Sequence, residues 1–522
     1  MRMLDSSRPI PLEVPDRPSL AVGLVVALAA VKLGLHVFTS SVTPYEFHRD
    51  EFLYFAMGEH LALFHMDFPP AMALLAQFVR GVLGDSLFAI RLVPAAFGTA
   101  TVVLAALIAR ELGGGRFAQG TAALCVLANP LFLRAGVLFQ PVVVDQFVWT
   151  AGFYSLARVA TTDELRWWSA LGVVTGIGLL TKFTIAVFGV TVTAALFITQ
   201  RCSWLRHPGP WLALALALAI GSPSIVGQIA LDFPLLSYLA DLRENQLARV
   251  TAWQFAMGQL TLGPTTLLAV VGVGFILLGR SMARFRMLGW VVALSFVLLM
   301  VLKAKDYYLA PVYPLAYAAG GVLLQQMQRP RGLAVIRTVV LLAVVGFAVL
   351  TWPLGLPILP PPAMASYAAH IGGESAVTTN VGAVERLPQD YADMLGWQDL
   401  VRAVGEVYHG LPPNERARAV LWASNYGEAG AIDFYGRRYG LPKAIAYVGT
   451  YWFYGPGDKA GDVTVAVGFS RESLASRFEL IEPAAAVGHP YGVAEQRDQT
   501  IYLVRQPRRS FQEVWPEMRG RN

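Results

Sequence analysis

The stretch PYEFHRDEFLYFAMGEHL sets Asp50 and Glu51 side by side, flanked by His48 and Arg49, shortly after an apolar run that ends near Phe38. Adjacent carboxylates at a membrane boundary are costly unless solvated, paired or metal-bound. The competing structural role is a loop end with Asp50 as N-cap of a helix over Phe52–Phe64. Asp145, between QPVVV and QFVWTAGFYSLA, is a lone carboxylate at the end of another apolar run, where a first-turn dipole role is the cheaper alternative. Two carboxylates meeting at one cavity would supply a general base and hold a polar substrate. A divalent cation, if one is bound, belongs near Asp50 and Glu51. Lys182 in LLTKFT, and Lys303, Lys305, Tyr307 and Tyr308 in LKAKDYYLAPVYP, supply the complement. Snorkelling explains each lysine singly, whereas jointly they suit a phosphate-bearing lipid head group. The two tyrosines suit an interface belt, a sugar face or a phosphate.

These groups need helices to place them, and the composition provides them. Of 522 residues, 55% are hydrophobic and 15% charged, against about 25% charged in ordinary soluble domains. Residues 1–360 hold 25 Lys or Arg and 17 Asp or Glu, whereas residues 361–522 hold 16 and 18. The division predicts a polytopic helical membrane domain over 20–360, after a tail of residues 1–19, and a water-exposed domain over 361–522. No basic stripe lies outside the short loops, which argues against a nucleic-acid partner. The opening MRMLDSSRPIPLEVPDRP is too polar for a signal peptide, so the first apolar run is expected to remain as an anchor. Cys125 and Cys202 lie in settings that do not suggest a shared disulfide or metal site.

Apolar runs near 20–40, 87–109, 117–134, 142–158, 168–181, 183–199, 211–231, 263–279, 287–302, 308–326 and 335–355 predict about eleven spans. The pair around Lys182 alternatively reads as one bent segment. Fifteen Lys or Arg fall on alternate connections and about eight on the others. The positive-inside rule then places the N-terminus in the cytoplasm and the C-terminal domain outside, in a multi-pass cell membrane protein. Outer loops 41–86 and 232–262 are long, and 41–86 holds helix-like stretches Phe52–Phe64 and Ala71–Leu83 suited to the interface plane. In the tail, ESAVTTN, RAVLWAS, KAIAYVG, DVTVAVGF and TIYLVRQ read as strands. DMLGWQDLVRAVGEVYHGL, GEAGAIDFYGRRYG and RESLASRF read as helices, so a small α/β domain is expected. Asn425–Glu428 reads as a cap or a ligand-presenting turn, and YVGTYWFYGPGD (447–458) as a sugar-facing loop or a dock onto the membrane domain.

The order of HRDEFLYFAMGEHL, DFPPAMALLA, RLVPAAFGTATVVLAALIARELGG, VVVDQFVWTAGFYSLARVA, GIGLLTKFT and KDYYLAPVYP resembles the polytopic glycosyltransferases of GT-C fold. Within them it is similar to the protein O-mannosyltransferase and lipid A aminoarabinose transferase group. The resemblance runs through most of residues 20–326. It implies transfer of a sugar from a polyprenyl-phosphate donor to a lipid, glycan or protein hydroxyl on the outer face. By that likeness Asp50 takes the place of the catalytic aspartate with Glu51 as its companion, and Asp145 that of a second outer acid. His48, Glu51, Lys182, Lys305, Tyr307 and Tyr308 fall where substrate is bound. Asp67 and Phe68 stand in DFPP, without the lysine of the aminoarabinose enzymes, and Arg243 or Arg249 as phosphate contacts rests on no motif.

A phosphate leaving group is stabilised by cations without prior protonation, so one carboxylate suffices and a single displacement inverts the anomeric centre. The two-carboxylate glycosidase geometry is then not the template. A transporter or flippase of a lipid-linked sugar is the alternative reading; it would need no base and often shows paired repeats, and the sequence shows none. A binding module on a helical scaffold would leave the acids and lysines idle.

Overall fold

The computed structural model describes residues 17–327, 331–379 and 382–519. Arg2, Arg8 and Arg329 of the cations that set the orientation lie outside these residues. Apolar sequence becomes helix throughout the first two-thirds of the chain: α1 Val22–Val42, α2 Arg49–Glu59, α3 Ala71–Leu83, α4 Leu87–Glu111, α5 Arg116–Ala128, α6 Pro130–Ala135, α7 Pro141–Thr162 and α8 Leu165–Thr181. These are followed by α9 Ile185–Ile198, α10 Pro208–Ala230, α11 Pro234–Asn245, α12 Ala252–Gly258, α13 Pro264–Leu278, α14 Arg286–Val301, α15 Tyr313–Gln326 and α16 Arg331–Gly355.

Every expected span is helical, but length divides them. Among the described residues six helices are long and apolar enough to cross a membrane, and the pair Ala252–Leu262 with Pro264–Leu278, bent by 109°, makes a seventh if taken as one. α5, α8 and α9 have 13, 17 and 14 residues, and a bilayer core asks for about 20. Lys182 ends α8 in extended backbone (φ −158°), and α9 starts three residues later. The chain is therefore broken at Lys182 rather than smoothly bent. Close helix approach rests on small residues: a Cβ on Gly172 of α8 would lie 2.5 Å from the Ala213 carbonyl of α10, and one on Gly272 of α13 2.3 Å from that of Ala316 in α15.

Residues 361–519 carry one five-stranded sheet of order β2-β1-β3-β5-β4, with β1 Val420–Ala423, β2 Ala444–Ile445, β3 Val463–Val467, β4 Phe478–Val487 and β5 Gln499–Pro507. β1 pairs in parallel with β2 and β3, while β5 runs antiparallel to both β3 and β4. Four of the five expected strands are there. ESAVTTN is not: Gly373–Val377 is a helical turn, Thr378 makes an isolated bridge to Val384, and Asn380 lies outside the described residues. Instead FELIEPAAAV forms β4 at the sheet edge, bulged between Pro483 and Ala485. A proline is tolerated at such a place because an edge strand has ladder donors to spare.

The C-terminal part is not a tethered module. Its Tyr426–Tyr435 helix lies on α2, where Phe47, Phe52, Phe55, Phe434 and Trp397 form one aromatic cluster with centroids 5.0–6.2 Å apart, edge to face except for the tilted Phe55–Phe434 pair. Glu59 at the end of α2 is clamped by Arg80, Arg437 and Lys443. His60 stacks on Tyr454 at 4.0 Å.

Candidate active site

The start of α2 separates the two adjacent carboxylates. His48, not Asp50, is the N-cap: its Nδ1 accepts from the Asp50 N–H (3.1 Å), and Glu51 accepts from the His48 N–H (2.6 Å), which completes a capping box. With the cap supplied by His48, the Asp50 side chain is released from helix duty. Successive helix residues point about 100° apart, so Asp50 and Glu51 face different surroundings.

Glu51 turns inward and is fully buried. It accepts from the Phe139 N–H (2.8 Å) and lies 3.6 Å from the buried Arg91 guanidinium. Glu51 and His48, both expected to bind substrate, here make the capping box and the contacts with Arg91, Phe139 and Asp393. His48 is 4% exposed and its Nε2 sits 3.8 Å from Asp393 and 3.9 Å from Asp390. Among the described residues no group of three or more His, Cys, Asp or Glu is arranged to hold a metal ion, and Glu51 is spent on Arg91 and on backbone amides. The residues near Asp50 therefore do not fit a metal site.

Asp50 turns outward and is held by two neutral donors. Tyr426 donates to Oδ1 at 2.8 Å and the Gln140 amide to Oδ2 at 3.2 Å. Asp50 lines a cavity of about 1040 Å³ whose walls come from three parts of the chain. Arg49, Asp50 and Tyr54 of α2 form one side and Tyr238 of α11 another. The C-terminal part contributes Tyr426, Thr450 and Trp452. Arg49 is not free to meet a substrate charge, since it pairs with Asp393 (3.3 Å) and Glu495 (2.9 Å). Asp67 of the DFPP step also borders the cavity and accepts from Thr450 at 2.7 Å; burial pushes its carboxyl up to about 6.

The cations gather beside this cavity rather than in its wall. The Lys182 ammonium lies 4.2 Å from the ring centre of Tyr308 and 5.6 Å from that of Tyr307, within cation–π reach. The two tyrosines meet edge to face at 4.9 Å. Lys305 is held below the usual lysine range by burial, against the opposing pull of Tyr308, Asp50 and Asp390. It thus lies within electrostatic reach of both Asp50 and Lys182. Asp145, 3% exposed, sits in the first turns of α7 in the field of Lys182, and its Oδ1 makes no hydrogen bond among the described residues. It does not line the cavity. The two acids therefore occupy separate places, joined by Lys182, Lys305 and the tyrosine pair. Arg243 and Arg249 are exposed and outside the cavity wall.

Sequence reasoning missed Tyr54, Gln140 and Tyr238, and reached Tyr426 only as part of the Asn425–Glu428 turn, without a link to Asp50. Tyr426 lies 376 positions from Asp50, and no local pattern links them. Asn425 is a cap, its Oδ1 accepting from Gly427 and Glu428 N–H groups. Loop 447–458 borders the cavity through Tyr447, Thr450 and Trp452 and docks on Asp67 and His60 through Thr450 and Tyr454.

Residues 67–226 match the family model of dolichyl-phosphate-mannose-protein mannosyltransferase. The fold is similar to that of ArnT from Cupriavidus metallidurans bound to undecaprenyl phosphate, at TM-score 0.62 and 16% identity over 92% of this chain and 98% of that one. The apo state of the same protein gives 0.63 and 15% over 93% and 98%. The arabinofuranosyltransferase AftD from Mycobacteria gives 0.51 and 16% over 94% of this chain and 40% of that one. No curated protein sequence matches the chain. The chain has the GT-C fold of multi-pass membrane glycosyltransferases.

Proposed function

We propose that the protein is a membrane glycosyltransferase that moves a sugar from a polyprenyl-phosphate donor to an acceptor hydroxyl. The observation that carries this reading is Asp50: a carboxylate on a cavity wall, oriented by neutral donors on both oxygens and within electrostatic reach of Lys305. Its neighbour Glu51, by contrast, is paired with the Arg91 guanidinium.

The donor phosphate rests on Lys182 and Lys305, with Tyr307 and Tyr308 against its sugar or phosphate. The acceptor enters the cavity and presents a hydroxyl to Asp50. Asp50 takes that proton as the oxygen attacks the anomeric carbon from the face opposite the phosphate. The carbon–oxygen bond to phosphate breaks, polyprenyl phosphate leaves with the electron pair, and the lysine charges stabilise it. The anomeric centre is inverted, and protonated Asp50 loses its proton to water. Asp145 holds Lys182 in place. In this reading residues 361–522 form an extracytoplasmic domain of an inner or plasma membrane protein and the N-terminus is cytoplasmic. The ArnT structure with undecaprenyl phosphate supports the donor class.

The test is purified full-length protein in nanodiscs with a panel of labelled polyprenyl-phosphate sugars, scored for released polyprenyl phosphate and for the configuration of the product. Release by wild type and its loss in Asp50→Asn are expected. Equal release by both would end the base assignment.

A further inference from the structure

The C-terminal part reaches Asp50 through one polar group, and its placement is unusually well determined. Tyr426 opens the helix Tyr426–Tyr435, whose start is fixed by the Asn425 cap and by Glu428, buried and accepting from the Ser424 N–H (3.1 Å) and hydroxyl (3.0 Å). The helix can lie this close to α2 because it has glycines where they touch. A Cβ on Gly427 would come 2.5 Å from the Arg49 side chain, and one on Gly430 2.6 Å from Phe52. Trp397 wedges against Phe52 at 5.4 Å. Docking is thus secured by ring packing and by the Glu59 clamp, and the phenol hydrogen bond is not needed for it.

We propose that Tyr426 is a positioning residue: its hydroxyl fixes the Asp50 carboxylate, so that the C-terminal part completes the active site rather than merely covering it. This rests on the reading of Asp50 as the base. With Tyr426 on Oδ1 and Gln140 on Oδ2, rotation of the carboxylate about its Cβ–Cγ bond is blocked. Remaining lone pairs are then held toward the cavity. Removing one of two anchors frees that rotation, and a misplacement of about 1 Å costs on the order of 10²-fold in rate.

The experiment is a double-mutant cycle on the full-length protein with a polyprenyl-phosphate sugar that wild type accepts. Tyr426→Phe keeps the ring packing, so the melting temperature and the donor KM are expected to stay at wild-type values while kcat falls roughly 10- to 100-fold. Asp50→Asn retains an oxygen for the phenol and is the second variant. If Tyr426 acts through Asp50, the double variant is no slower than Asp50→Asn alone. Additive losses in the double variant, or full kcat in Tyr426→Phe, overturn the inference while leaving the base assignment intact. Full kcat in Asp50→Asn instead overturns the base assignment itself.

Discussion

Two ends of the same helix bundle bury carboxylates and treat them in opposite ways. Where α4 finishes, Glu111 is 5% exposed and meets Arg158 at 3.2 Å and Arg17. Where α2 begins, Glu51 repeats that arrangement with Arg91, yet its neighbour Asp50 takes a phenol and an amide instead of a guanidinium. A guanidinium neutralises a buried acid and makes it costly to disturb. Neutral donors orient an acid and leave its charge for a substrate. Asp50 differs from Glu51 and Glu111 in both respects: it is half-buried on a cavity wall and has no guanidinium partner.

The sharpest way to break this contrast is Asp50→Asn. A positioned general base contributes about 10²–10⁴-fold, so turnover is expected to drop by that much while the melting temperature holds, because His48 supplies the cap. Wild-type turnover would erase the distinction between the two acids. Glu51→Gln is expected to do the reverse. It leaves Arg91 buried without its partner, at a cost of about 3–5 kcal/mol, read as a large fall in unfolding midpoint in detergent. A stable but inactive Glu51→Gln protein would move Glu51 to the chemical side.

The cation side follows at smaller size. Lys305→Ala is expected to weaken donor binding by roughly ten- to a hundredfold, the loss of one hydrogen bond to a charged group. Burial favours the neutral amine of Lys305, so wild-type donor affinity is expected to fade with rising pH before an ordinary lysine would titrate. That limb should vanish in Lys305→Ala when binding is measured across pH.

Asp67 gives the smallest effect. Its carboxyl, pushed up to about 6 by burial, binds a proton more tightly folded than unfolded. Its contribution to stability is greatest below about pH 4 and falls as pH rises to about 6. Asp67→Asn should flatten that slope and raise stability at pH 7 by on the order of 1–2 kcal/mol, with the Thr450 hydrogen bond kept. A lower melting temperature at pH 7 would show that the Asp67 charge fastens the C-terminal part.

Much of the scaffold is legible in the sequence because its signals are local. Ala71–Leu83 is a helix over the expected residues, and the chain breaks at Lys182. The strand β4 hid behind Pro483 and three alanines, residues that argue against a strand except at an edge. For the site, the acids and lysines announce themselves by being charges in apolar sequence. Which residue caps α2 does not, since His48 and Asp50 compete for that place and only the fold decides. Gln140, Tyr238 and Tyr426 are ordinary residues until three distant segments converge on Asp50.

The hydrogen bond from Tyr426 to Asp50 also has a consequence in time. Its partners are separated by 376 positions, and ribosomes add about 5–20 residues per second. Asp50 therefore waits roughly 20 to 75 s after its own synthesis before its phenol partner exists. The cluster of Lys182, Lys305 and the tyrosine pair is complete only late in that interval, and over the stretch from there to Tyr426 Asp50 has Gln140 alone as its donor. On the proposed reading, a nascent chain stays slow until its last third has folded onto α2, and a chain truncated before Tyr426 would stay so.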